Sequence, residues 1–110
     1  MKSPADVADQ HHNLGTVYRA GGKLGLAEKK FRAALRLNRR LGRRPSMACQ
    51  YKELGSVLEA RKRNREAVRM YEKSRDLFSE VGIRSELKNL QHSIQRLRAA
   101  SKKGSKRGLR

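Results

Sequence analysis

Acidic residues are scarce in this chain: ten Asp and Glu stand against 28 Lys and Arg, leaving a formal charge of +18 over 110 residues. Cysteine is scarcer still, since Cys49 has no partner to form a disulfide scaffold. Tryptophan is absent and only two prolines interrupt the chain, Pro4 and Pro45. No stretch approaches the roughly 20 apolar residues of a membrane span, so insertion into a bilayer is not expected. Lys2 is followed by no apolar run, and Asp6 and Asp9 lie where a secretory or mitochondrial leader would keep acids out. The expected location is a reducing interior, the cytoplasm or, in a eukaryote, the nucleus. Hydrophobic residues make up 36% of the chain and charged residues 35%. That balance is poor for a two-layer α/β enzyme with a deep pocket. What remains is rich in Ala, Leu, Arg, Lys and Glu, the strong helix formers, so the fold class is all-α.

Displacing the sequence against itself by 40 residues exposes an internal repeat. Ala8 falls on Ala48, Gln10 on Gln50, Leu14 on Leu54, Gly15 on Gly55 and Val17 on Val57. Further on, Ala20 falls on Ala60, Ala27 on Ala67, Leu37 on Leu77, Gly42 on Gly82 and Arg44 on Arg84. The matches are mostly small or apolar, the positions that packing constrains. Each unit reads helix, turn, helix. Leu14, Val17 and Tyr18 precede the Gly21-Gly22 break, and Ala27, Phe31, Ala34, Leu35 and Leu41 follow it. In the second unit Tyr51, Leu54 and Leu58 precede a turn near Arg63-Asn64; Ala67, Met70, Tyr71, Ser74, Leu77 and Phe78 follow. Gly15 and Gly55 lie inside helices, where each costs about 1 kcal/mol relative to alanine. A cost taken twice at one register implies a close helix–helix approach there, with Ala27 and Ala67 as the expected small residues facing it.

The runs Leu14-Gly15-x-x-Tyr18 with Ala27-x-x-x-Phe31-x-x-Ala34, and Leu54-Gly55-x-x-Leu58 with Ala67-x-x-x-Tyr71-x-x-Ser74, resemble the tetratricopeptide repeat. That family's unit has about 34 residues, so these units are about six longer. His11 and Tyr51 stand where the family usually carries a larger aromatic. Leu58 replaces a tyrosine, Ser74 an alanine, and no proline closes either second helix. The resemblance implies a right-handed α-solenoid of antiparallel hairpins with about five helices. The expected parts are a lead over 1–4, a first repeat over 5–42 and a second over 43–82. A capping helix or truncated third repeat follows over 83–100, where Leu87, Leu90, Ile94 and Leu97 form one apolar stripe. A basic tail over 101–110 is expected to be unstructured.

The positive charge is uneven. Residues 1–22 sum to zero and 45–82 to +2, whereas 23–44 and 83–110 each carry +8. Arg32, Arg36 and Arg40 recur at i, i+4 and i+8, one stripe on one helix face, flanked by Lys29, Arg39, Arg43 and Arg44. Like charges at that spacing repel, which fits an acidic partner or a phosphate backbone equally with a solvated outer face.

In the resembled family the first helices line a concave groove. The corresponding positions here are Asp9, His12, Thr16 and Arg19, then Cys49, Lys52, Ser56 and Glu59, then Asn89, His92 and Arg96. The carboxylate clamp of chaperone-binding members needs lysine at the site of His12 and asparagine at those of Thr16 and Ser56, and none of the three matches. Catalytic and metal chemistry find no constellation. Adjacent His11 and His12 point about 100° apart on a helix. Cys49 lacks a readable base. The Gly21-Gly22-x-x-Gly25 turn lacks the strand and lysine of a phosphate loop. The expectation is a non-enzymatic interaction module without cofactor or metal that captures a protein or peptide in the groove. Nonspecific nucleic-acid binding through the arginine stripe is the alternative. Self-association is compatible with a chain of only two full units.

Overall fold

In the computed structural model, residues 2–108 are described, with side chains through Ser101. Five helices follow one another: α1 (Pro4–Ala20), α2 (Leu24–Leu41), α3 (Arg44–Ala60), α4 (Asn64–Glu80) and α5 (Leu87–Gly108). Each packs chiefly on its neighbours in sequence, α1 on α2, α2 on α3, α3 on α4 and α4 on α5. Nearest-neighbour packing of this kind makes a solenoid, here 60 × 32 × 20 Å.

Local chemistry sets the helix ends. Ser3 caps α1: its Oγ accepts from the Asp6 amide at 3.1 Å, while the Asp6 carboxylate accepts from the Ser3 amide. Pro4 and Pro45 sit in the first turns of α1 and α3, where a missing amide hydrogen costs nothing. The forty-residue register extends to the backbone. The α1–α2 turn passes through the left-handed region at Gly22 (φ +76°), and the α3–α4 turn does so at Lys62 (φ +65°). The second turn therefore spans Arg61–Arg63, slightly ahead of its expected place.

The core has two connected parts. Ala27, Phe31, Leu35, Tyr51, Leu54 and Val57 fill the space among α1, α2 and α3. Ala48, Leu58, Ala67, Tyr71, Phe78, Leu90, Ile94 and Leu97 fill the space among α3, α4 and α5. Ser74, standing where the repeat favours alanine, is fully buried and donates its hydroxyl to the Ala48 carbonyl at 2.8 Å. That bond satisfies the one polar atom the substitution adds.

Three expectations change. The groups facing Gly15 and Gly55 are the rings of Phe31 and Tyr71, one helical turn beyond Ala27 and Ala67. Leu14 and Val17, read as core, are 41% and 65% exposed, while Leu54 and Val57 at the same register are fully buried. The difference is positional: α2 lies against α3, and among the described residues no helix lies against that side of α1. Finally, helical backbone continues to Gly108, past the boundary at residue 100, although a patternless tail was expected there. Side chains 102–110 and the backbone of Leu109 and Arg110 lie outside the described residues.

Candidate functional site

The first helices of the units, α1 and α3, and the final helix α5 form one face. A cavity of about 210 Å³ opens on it, lined by Arg19, Lys52, Glu53, Ser56, Tyr71, Glu86, Asn89, Leu90 and Ser93. Of the expected groove residues, Arg19, Lys52, Ser56 and Asn89 line this cavity. The others do not, and each has a visible reason. Asp9 pairs with Arg43 at 3.3 Å, towards the α2–α3 turn. His12 Nδ1 lies 3.0 Å from Gln50 Nε2, and its ring leans on Phe31 with centroids 5.8 Å apart. Thr16 spends its hydroxyl on the His12 carbonyl at 3.1 Å. Cys49 is half-buried, and burial pushes its thiol up from the ordinary range. His92 is exposed on α5.

Ion pairs cross the face from helix to helix. Arg19 of α1 meets Glu53 of α3 at 2.5 Å. Lys52 of α3 meets Glu86, just before α5, at 3.4 Å. Glu59 near the end of α3 meets Arg96 of α5 at 2.6 Å and accepts from the Tyr71 hydroxyl at 3.0 Å. The Arg96 hydrogen bond holds the Glu59 carboxyl below its ordinary value; burial opposes this and the Tyr71 bond adds to it. Burial, reinforced by Glu59, pushes the Tyr71 phenol well above its usual range. The groove is thus polar and locally charge-balanced, despite a chain charge of +18. Sequence reasoning missed Glu53, Glu86, Ser93 and Tyr71. Glu53 was legible as the acid next in sequence to the groove cation Lys52, and Glu86 as the one acid between Arg84 and the groove residue Asn89, in a chain with few acids to spend.

The basic patch divides in two. Arg32 bonds Glu28 at 2.9 Å, Arg39 donates to the Tyr51 hydroxyl at 2.9 Å, Arg43 donates to Asn38 at 3.1 Å, and Arg44 pairs with Glu80. Arg39, Arg43 and Arg44 thereby join neighbouring helices, whereas the Arg32 pair lies within α2. Lys29, Arg36 and Arg40 are exposed and have no acidic partner among the described residues. Glu28, almost buried, also accepts from Arg61 at 2.7 Å and Arg63 at 2.9 Å, tying α2 to the α3–α4 turn. Burial alone would raise the Glu28 carboxyl; the Arg32 bond and charge, then Arg63 and Arg61, outweigh it and hold the group below its ordinary value.

Among the described residues, no three His, Cys, Asp or Glu side chains converge as a metal site. No described helix is long and apolar enough to cross a membrane. Comparison with known families matches residues 6–80 to the tetratricopeptide repeat. No curated protein matches the chain.

Proposed function

Because this chain belongs to the tetratricopeptide-repeat family, we propose that it is a non-enzymatic interaction module that captures a peptide segment of a partner protein in its concave groove. Tetratricopeptide repeats generally mediate protein–protein interaction. The observation that carries the finer reading is the cavity between α3 and α5, where Ser56, Asn89 and Ser93 offer hydrogen-bonding groups between the Arg19–Glu53 and Lys52–Glu86 pairs. Stacked hairpins let such side chains vary without touching the core. A locally balanced groove favours a peptide recognised through hydrogen bonds and shape over one recognised by acidity alone.

Selection from a random peptide library on the full chain tests this reading. Selected peptides should bind the wild-type protein and lose about tenfold or more in affinity with Lys52→Ala/Asn89→Ala, the scale of one or two lost hydrogen bonds. Failure to enrich any sequence, or enriched peptides that ignore the double substitution, would refute groove capture. Nucleic-acid association is the second reading, supported by Lys29, Arg36 and Arg40, which have no acidic partner among the described residues, and by the net charge. Oligonucleotide binding that vanishes by about 0.2 M salt would assign it to bulk electrostatics.

A further inference from the structure

Apart from the groove cavity, with which it shares no lining residue, the α1–α2 seam opens into a cavity of about 490 Å³ lined by His11, Ala33, Arg36, Leu37 and Arg40. Its floor is apolar and its rim cationic. No acid lines it, in a molecule whose other seams spend acids on arginines. The His11 Nδ1 atom is buried and has no hydrogen-bond partner among the described residues.

The repeat shows what this surface lacks. Forty residues on from Arg32, Arg36 and Arg40 stand Glu72, Asp76 and Glu80. The same stripe is basic in the first unit and acidic in the second. In the second unit Glu72 holds Arg98 of α5 at 2.6 Å, Asp76 holds Arg75 at 3.2 Å, and Glu80 holds Arg44 of α3. At the Glu72 and Glu80 positions the register therefore supports guanidinium–carboxylate pairs between helices, while Asp76 pairs within its own helix. In the first unit Arg32 has its carboxylate, from Glu28; among the described residues Arg36 and Arg40 have none.

We propose that this seam docks an acidic segment of a partner protein, with carboxylates on Arg36 and Arg40 and an apolar side chain on Ala33 and Leu37. This is a second surface, separate from the groove. A second copy of the chain is a poor occupant, because its own acidic stripe is engaged and two molecules of charge +18 repel. A phosphate backbone would use the arginines but leave the apolar floor uncovered, and no exposed aromatic lines the cavity to stack a base. Bidentate guanidinium pairing to carboxylates supplies direction as well as attraction.

The test uses the full chain and a fluorescein-labelled peptide of about a dozen residues, Glu- and Asp-rich with one central leucine. Comparison probes are the same peptide with serine for leucine and an oligouridylate of equal charge. In about 0.15 M salt, which screens long-range attraction, the leucine peptide should bind more tightly than either probe. Arg36→Glu/Arg40→Glu should weaken it at least about tenfold, since two attractive pairs become repulsive. Lys52→Ala/Asn89→Ala should leave it unchanged, which separates this surface from the groove. His11 supplies an internal reporter: burial, then Lys30 and Arg36, hold its pKa below the ordinary value, so an acidic occupant should raise it in an NMR titration. Arg36→Gln/Arg40→Gln decides the matter if charge reversal disturbs the helical circular dichroism. Affinity indifferent to both arginine pairs, an oligouridylate that binds as tightly as the leucine peptide, or an unmoved His11 would overturn the proposal.

Discussion

The Phe31 ring lies 2.6 Å from the point where a Cβ on Gly15 would stand, and the Tyr71 ring lies the same 2.6 Å from that point on Gly55. Neither contact has room for a methyl group, and both rings are buried. Gly15→Ala and Gly55→Ala should each destabilise the protein by about 1–3 kcal/mol through overpacking, despite alanine's advantage of about 1 kcal/mol in a helix. Thermal melts followed by circular dichroism would show this as a drop of several degrees. Phe31→Leu should recover part of the loss in the Gly15→Ala background and none in the Gly55→Ala background. A stabilised glycine variant would mean the helices are free to part there.

The ring, rather than the hydroxyl, is what the seam requires, because Phe31 fills at one register the place Tyr71 fills at the other. Tyr71→Phe should cost only about 0.5–1.5 kcal/mol, the net worth of the bond to Glu59. Tyr71→Ala should cost about 3–5 kcal/mol. Urea denaturation of the two variants checks the ratio; similar losses would show that the Glu59 bond dominates.

Much of this was legible in the sequence for one physical reason. Packing restricts the small and apolar positions, so Gly15, Gly55, Ala27, Ala67, Phe31 and Tyr71 kept their register and announced the hairpins. The groove was harder to read. Helical spacing places Asp9, His12 and Thr16 on the right helix, yet it does not say which polar side chain a neighbouring helix will claim. Gln50 claimed His12 and Arg43 claimed Asp9, both across gaps of more than 30 residues. The exposure of Leu14 and Val17 was hidden for the same reason: a repeat pattern records what a unit buries between neighbours, and does not say which neighbours a given unit has.

Glu28 gathers three guanidinium groups around one nearly buried carboxylate. Glu28→Gln should therefore cost about 1–3 kcal/mol, since it leaves partly buried charges without their counterion. The pH dependence follows from direction. Glu28 and Glu59 are both held below their ordinary value of 4.5, so the unfolded chain takes up protons first. Their stabilisation is complete above about pH 4.5 and is lost as pH falls through the lower folded-state values. Urea midpoints measured between about pH 7 and pH 3 should decline on the acid side. The decline should be shallower in Glu28→Gln; an identical slope would show that other carboxylates carry the transition.

Leu14 and Leu54 are the same residue at the same register, as are Val17 and Val57, but their surroundings differ. Leu54 and Val57 are fully buried against the first hairpin, whereas Leu14 is 41% and Val17 65% exposed. Leu54→Ala should cost about 2–5 kcal/mol, the lost transfer energy plus the cavity left behind. Leu14→Ala should cost about 1 kcal/mol or less, since much of its surface already meets water and alanine favours the helix. Val17→Ala should be neutral within about 0.5 kcal/mol. Chemical denaturation at two protein concentrations decides the matter. An asymmetry independent of concentration means the outer face of α1 stays uncovered in solution. Equal costs for the two leucines, with midpoints that rise with concentration, would mean that another molecule covers Leu14 as α2 covers Leu54.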